Sequence, residues 1–165
     1  MIVQKLHHFA YRCKDAEQTR AFYEDVLGLP LAHVIQADTV PSTGEHCPYV
    51  HIFFRMADGS YIAFFDLGDN TATVPDPDTP GWVNHIALEV SGESELLEMK
   101  AKLEASGVDV IGPTDHGFVK SIYFFDPNGL RAELTCRTKP QSYLNEQEAI
   151  AHKALARWTG RARTQ

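Results

Sequence analysis

The sequence predicts an α+β fold in which two βαβββ modules follow one another and form a curved, barrel-like mixed sheet with the helices outside. Residues 6–31 and 83–111 share one pattern, a strand that carries a histidine followed by a helix that runs out at a glycine. Residues 51–67 and 121–136 share a second pattern, an aromatic strand, a turn with Asp and Gly, and another strand. Residues 68–81 are rich in Pro, Asp, Thr and Gly, as a connection is.

The chain therefore divides into four segments within one structural domain. The first module takes 1–67 and the linker takes 68–81. The second module takes 82–138, and a C-terminal helix with a basic tail takes 139–165. The first module is the longer one, and its extra length is expected in a polar loop around 37–48.

Apolar residues at helical spacing predict the helices. In the first module these are Thr19, Phe22, Tyr23, Val26 and Leu27. In the second they are Leu96, Met99 and Leu103. Near the C-terminus, Leu144, Ala151, Leu155 and Trp158 predict a helix that packs on the outside.

Composition excludes several classes of function. The net charge of -7, from 15 basic and 22 acidic residues, argues against a nucleic-acid partner. No apolar run approaches the ~18 residues that would span a bilayer, and no signal peptide is recognised, so the cytoplasm is the expected compartment. The three cysteines do not indicate a disulfide framework.

Strand parity separates a polar face from the apolar face that the helices cover. His8 and His85 occupy equivalent positions in the two modules, and both fall on the polar face. Glu133 falls on the same face near the end of the second module, whereas His7 should point to the other side. Two imidazoles and one carboxylate form a facial triad that leaves open metal positions, so His8, His85 and Glu133 are the predicted metal ligands. Ala63, at the position equivalent to Glu133 in the first module, cannot bind metal.

Three stretches carry a family resemblance, HHFAYRCKDAEQTRAFYEDVLGL (7–29), NHIALEV (84–90) and FDPNGLRAEL (125–134). By these motifs the chain resembles the vicinal oxygen chelate superfamily over about residues 4–136. That superfamily includes glyoxalases, bleomycin resistance proteins, fosfomycin resistance enzymes, methylmalonyl-CoA epimerases and type I extradiol dioxygenases. Its members share a scaffold and differ in chemistry, so the resemblance implies the fold more firmly than the reaction.

A longer pattern is similar to the ring-cleavage signature of extradiol dioxygenases. It consists of Thr114-x-His116, Ile122-Tyr123, Asp126-Pro127-x-Gly129 and Glu133. The resemblance implies that Glu133, His8 and His85 bind Fe(II). It also implies that His116 and Tyr123 are catalytic, handling protons and holding the substrate.

The chain departs from those dioxygenases at one position. Ser60 aligns where they carry a further active-site histidine, which leaves efficient oxygen activation an open question. His51 is a candidate substitute, because with Phe53 it lies on the face equivalent to that of Tyr123. The competing classes depart as well, since Ala63 replaces the fourth polar ligand of glyoxalase I and the epimerases. Ala10 stands where the fosfomycin enzymes have threonine.

The favoured expectation is an Fe(II)-dependent extradiol-type dioxygenase that acts on a small catechol-like substrate and O2. His51, Phe53, Tyr61 and Phe65 are the expected substrate-binding residues. Mn(II), Ni(II) and Zn(II) remain open as the metal. The alternatives are a glyoxalase- or epimerase-like isomerase or lyase, and a bleomycin-resistance-type binding protein. A homodimer or higher homo-oligomer is expected, with the metal site either within one chain or at a dimer interface.

Overall fold

The computed structural model of the protein describes residues 2–73 and 75–160. In the first module the elements are β1 (His8–Arg12), α1 (Ala16–Arg20, continued by a π-helical segment, Ala21–Val26), β2 (Leu31–Thr39), β3 (His46–Arg55) and β4 (Tyr61–Asp66). In the second module they are β5 (Ile86–Glu89), α2 (Glu93–Ala105), β6 (Ile111–Asp115), β7 (Val119–Phe125) and β8 (Arg131–Arg137). A terminal helix, α3 (Gln141–Thr159), follows.

Each module forms a four-stranded sheet with the same topology. The strand orders are β1-β4-β3-β2 and β5-β8-β7-β6. In each sheet the first strand pairs in parallel with the last strand, and the other pairs are antiparallel. The α+β class and the repeated βαβββ units are therefore confirmed. The predicted curved mixed sheet is present as two separate open halves among the described residues.

The helices lie on the apolar faces of the sheets, as their sequence periodicity predicts. Asp15 begins α1 by accepting a hydrogen bond on its side chain from the Gln18 backbone N–H at 2.7 Å. Phe22 and Tyr23 are buried, and Leu96 and Leu103 of α2 are fully buried. These side chains join Phe64, Ile122 and others in one apolar core, the main source of stability for such a fold.

A turn of the second module is tied to the helix of the first. The Tyr23 hydroxyl donates to the Asp126 carboxylate at 3.1 Å, in the Asp-Pro-Asn-Gly turn between β7 and β8. The Asn128 side chain donates to the Thr19 hydroxyl and accepts from the Lys14 backbone N–H, both at 3.1 Å. These bonds position the two modules relative to each other.

One detail differs from the sequence expectations, and two further observations concern the C-terminal segment. The segment 37–48 is not a long loop, because β2 and β3 extend into it and only 40–45 connects them. No residue of α3 is buried, so the helix forms as predicted but contributes little to the core. The end of the predicted basic tail, 161–165, lies outside the described residues.

No helix in the described part of the chain is both long and apolar enough to cross a bilayer.

Candidate metal and catalytic site

The second sheet brings His85 and Glu133 together. His85 Nε2 lies 3.0 Å from Glu133 Oε2, and His85 Nδ1 lies 3.0 Å from the carbonyl oxygen of Val83. Glu133 is buried, at 6% exposure, although it is ionisable. His85 directly precedes β5 rather than lying within it, a shift of one residue from the predicted position.

The chemistry of this pair fits a cation. The carbonyl of Val83 is an acceptor, so His85 Nδ1 carries a proton there and its Nε2 faces a carboxylate oxygen. An unprotonated ring nitrogen and a carboxylate oxygen are both acceptors, so a separation of 3.0 Å between them suits a proton or a metal cation in the gap. A backbone partner that fixes the ring and directs Nε2 to the metal is the usual arrangement for a histidine ligand.

His116 and Tyr123, the two residues that the motif singles out, also meet. His116 Nε2 lies 2.7 Å from the Tyr123 hydroxyl. Tyr123 pairs with Glu133 across β7 and β8, and its ring lies 6.2 Å from that of His85. Burial raises the pKa of the Tyr123 phenol, so the hydroxyl keeps its proton at neutral pH. The second module therefore carries four of the predicted site residues in one cluster.

The first sheet holds His8 in a different setting. His8 Nδ1 lies 2.8 Å from Nδ1 of His7, so Nε2 is the nitrogen of His8 that is available to a ligand. The His7 ring also packs near Tyr61, at 5.9 Å between centroids. The expectation that His7 points away from the site is therefore wrong. Both histidines are solvent-exposed.

The predicted substrate-binding residues surround His8. The His51 ring stacks on Phe65 at 3.6 Å and contacts Phe53 at 4.1 Å. It lies 6.0 Å from the His8 ring. His51 is 7% exposed, and its Nε2 is buried without a hydrogen-bond partner among the described residues. Burial, with smaller effects from His8 and His33, lowers the pKa of His51 to about 4, so the ring is neutral at neutral pH.

Ser60 takes no part in this face. Its hydroxyl donates to Asp58 Oδ1 at 2.6 Å inside the turn before β4. Its place in the chain puts it on the side of Ile62 and Phe64, which are core residues. His51, at 6.0 Å between ring centroids, thus lies near the predicted ligand His8, as does His7 at 5.1 Å.

One chain does not bring all three predicted ligands together. His8 belongs to the first sheet, whereas His85 and Glu133 belong to the second. Within residues 2–73 and 75–160 no group of three His, Cys, Asp or Glu side chains is placed to hold a metal ion. The predicted ligands therefore form two candidate half-sites, with His8 on the first sheet and His85 and Glu133 on the second.

Arg131 lies beside the candidate site, and the sequence reasoning did not single it out. Its guanidinium lies 4.3 Å above the ring of Tyr123, a cation–π contact. Strand parity already places Arg131 on the same face as Glu133, two residues later, and this is the signal that could have identified it.

The sequence model of the Glyoxalase/Bleomycin resistance protein/Dioxygenase superfamily matches residues 5–134. The chain belongs to this superfamily. Members of the superfamily have small-molecule substrates and bind divalent metals, as in a FosX variant from Listeria monocytogenes crystallised with Mn(II). That structure has a TM-score of 0.59 and 20% identity, and the match covers 86% of this chain and 98% of that chain.

Two curated relatives within the superfamily point to different reactions. A biphenyl-2,3-diol 1,2-dioxygenase of Paraburkholderia xenovorans is 27% identical over 164 residues, 94% of this chain. The chain spans about half of that relative, 48% of its length. The metallothiol transferase FosB of Lysinibacillus sphaericus is 28% identical over 141 residues, 81% of this chain and 82% of FosB.

Solved structures confirm the superfamily fold. Glyoxalase I of Leishmania major has a TM-score of 0.64 at 18% identity, covering 93% of this chain and 99% of that chain. A glyoxalase/dioxygenase from Nostoc punctiforme has a TM-score of 0.61 at 22% identity, covering 84% and 94%. Identities this low establish the scaffold and leave the reaction to the site residues.

Proposed function

We propose that the protein is a metal-dependent ring-cleaving dioxygenase of the extradiol type, with a small catechol-like substrate. The observation that carries this proposal is the 2.7 Å contact between His116 and Tyr123 beside the His85–Glu133 pair. The contact supports the proposal because His116 and Tyr123 could act as an acid/base pair beside His85 and Glu133, the residue types of the 2-His-1-carboxylate set that non-haem Fe(II) oxygenases use. The dioxygenase relative, at 27% identity, supports the same reaction class.

The metal belongs between two copies of the chain in this proposal. His8 on one protomer, with Nε2 available, would complete the set that His85 and Glu133 begin on its partner. The polar faces that carry these residues are open to solvent in one chain, since His8 and His85 are both exposed. An isologous dimer would then contain two equivalent metal sites.

The residues of this chain have separate tasks around the metal. When bound, Fe(II) supplies a Lewis acid and one-electron chemistry for a substrate with two vicinal oxygens. His116 and Tyr123 offer one proton acceptor and one donor, so together they can take a proton from a substrate hydroxyl and return it later. Phe53 and Phe65 provide flat apolar walls for a ring, and the neutral His51 lies between them.

Substitution of His116 and Tyr123 tests the proposal. We expect His116→Gln and Tyr123→Phe to keep the iron content of the wild type and to lose about a hundredfold to ten-thousandfold in kcat, the usual contribution of a positioned acid/base. The measurements are metal analysis after anaerobic purification, and oxygen uptake with a panel of catechols. Full activity in both variants would contradict the catalytic assignment.

FosB favours a second candidate, a metal-dependent transferase, isomerase or lyase that does not use oxygen. The match covers 82% of FosB, whereas it covers 48% of the dioxygenase. Turnover of a dicarbonyl, thioester or epoxide substrate under strictly anaerobic conditions, lost in Glu133→Ala, would support this candidate and contradict the dioxygenase.

A further inference from the structure

A cavity of about 440 Å³ lies beside the second half-site. It opens between the end of β1, the linker and the turn that precedes β8. His85 is part of its lining, so a molecule in this cavity lies next to a proposed metal ligand. Tyr11, Phe125 and Leu130 give the cavity apolar walls that suit a ring or a short hydrocarbon.

Arg12, which also lines the cavity, has a side-chain donor without a partner among the described residues. Its Nη2 forms an ion pair with Asp69. Its Nε is buried and has no hydrogen-bond partner in the described part of the chain. A buried N–H without an acceptor is unfavourable, and an oxyanion in the cavity would satisfy it.

Arg131 adds an unbalanced positive charge. Its guanidinium is held in place by the Tyr123 ring and by one hydrogen bond, from Nη1 to the carbonyl oxygen of Trp82 at 2.7 Å. No ion pair among the described residues involves Arg131. A guanidinium has five N–H donors, so most of them remain for a ligand in its plane.

One acidic residue, Asp76, also lines the cavity. Its carboxylate already accepts hydrogen bonds from the Thr79 hydroxyl and the Asp78 backbone N–H. These donors lower the pKa of Asp76 and hold its charge within the linker. Arg12 is paired with Asp69 and Asp76 has its own partners, so Arg131 supplies the uncompensated positive charge and the cavity favours an anion.

We propose that this cavity binds the carboxylate of an aromatic acid, and that Arg12 and Arg131 select for it. Planar guanidinium groups pair with carboxylates through two parallel hydrogen bonds, which suits the donors described above. The inference rests on the proposed function for the other end of the substrate, where two vicinal hydroxyls would meet the metal. The substrate class is then a catechol that carries a carboxylate, such as a dihydroxybenzoate.

Benzoate binding to the metal-free protein tests the cavity without any catalysis. In isothermal titration calorimetry we expect benzoate to bind the wild type and benzyl alcohol, its neutral analogue, to bind more weakly. Arg12→Met and Arg131→Met should each weaken benzoate binding by about tenfold or more, because each removes charge-assisted hydrogen bonds. Arg157→Met, which removes the same charge from α3, is the matched control and should bind like the wild type.

The outcomes separate this inference from the function on which it rests. Thermal melting identifies any variant that fails to fold, and Arg131→Lys, which keeps the charge, should retain part of the affinity. Benzoate that does not bind the wild type, or that binds both arginine variants equally well, overturns the inference. If benzoate binding depends on the arginines but no catechol is cleaved, the carboxylate-binding cavity is supported and the dioxygenase proposal is refuted. If the wild type has equal kcat/KM for catechol and dihydroxybenzoate, the role of the cavity in substrate selection is refuted, whereas the dioxygenase proposal is not.

Discussion

Asp126 shows how a single carboxylate organises the turn beside the site. Its Oδ1 accepts from the backbone N–H groups of Asn128 and Leu130, both at 2.8 Å. Its Oδ2 accepts from the Tyr23 hydroxyl and the Asn128 side chain, both at 3.1 Å. Burial raises the pKa of Asp126, and these donors offset part of that effect. Because every partner donates, the site requires an acceptor on both oxygens.

We therefore expect Asp126→Asn to destabilise the protein. The amide keeps one acceptor oxygen but turns an NH2 group toward two donors, which leaves buried polar groups unsatisfied. The expected loss in the free energy of unfolding is about 1–3 kcal/mol. Urea denaturation measures it, and Asp109→Asn, at an exposed position, should stay within about 0.5 kcal/mol of the wild type. Equal stability of the two variants would show that the hydrogen bonds to Asp126 matter little.

At the scale of single elements, the periodically spaced apolar residues of α2 form its buried face. Leu96 and Leu103 have no exposed surface, whereas Leu97, the next residue after Leu96, is 47% exposed. The spacing of Leu96, Met99 and Leu103 predicts this face, because residues three and four apart lie on the same side of a helix. Tertiary contacts decide only how deeply each side chain is buried.

Two leucines on this helix should differ greatly in their effect on stability. Leu96→Ala leaves a cavity in the core and should cost about 2–5 kcal/mol of unfolding free energy. Leu97→Ala removes an exposed side chain and should change stability by about 0.5 kcal/mol or less. Both variants can be compared by thermal and urea unfolding. Similar losses at the two positions would mean that the packing of α2 is incorrectly described.

At the scale of the whole molecule, the separation of the two sheets decides where a metal site can form. Contacts such as Tyr23–Asp126 pack the helix of the first module against a turn of the second. Strand pairing within each module leaves His8 on one sheet, and His85 and Glu133 on the other. A second copy of the chain is the physical means by which the two half-sites could meet.

Mixing two inactive variants tests this arrangement. We expect His8→Ala and Glu133→Ala to lose stoichiometric metal binding when each is purified alone. In a mixed dimer, one site would combine the intact His8 of one copy with the intact His85 and Glu133 of the other. After random subunit exchange, metal content and activity should recover to about a quarter of the wild type, because half of the dimers are mixed and each has one intact site.

The double variant with both substitutions is the control, since mixing it with either single variant restores nothing. Sedimentation or light scattering checks that the exchanged species is a dimer. No recovery in a population shown to contain mixed dimers would place the metal within one chain or exclude these ligands.

Much of the fold could be predicted because it depends on local periodicity. The two module patterns, the helical stripes ending at Leu27 and Leu103, and the match of His8 with His85 all follow from residue spacing along the chain. The motif singled out His116 and Tyr123, and their contact follows from one hairpin, with His116 directly after β6 and Tyr123 within β7. The hairpin extension through 37–48 was missed, because polar residues indicate a loop until a partner strand supplies hydrogen bonds.

Other features were decided by contacts between distant parts of the chain. The polar linker leaves the relative placement of the modules open, and long-range packing fixes it, so spacing alone could not show that His8 lies apart from Glu133. The position of Arg131 over Tyr123, the His7–His8 contact and the buried Nε2 of His51 likewise depend on where side chains meet in space. Strand parity determines which face a side chain occupies, whereas its neighbours across the sheets are determined by tertiary packing, and the chemistry of the site depends on those neighbours.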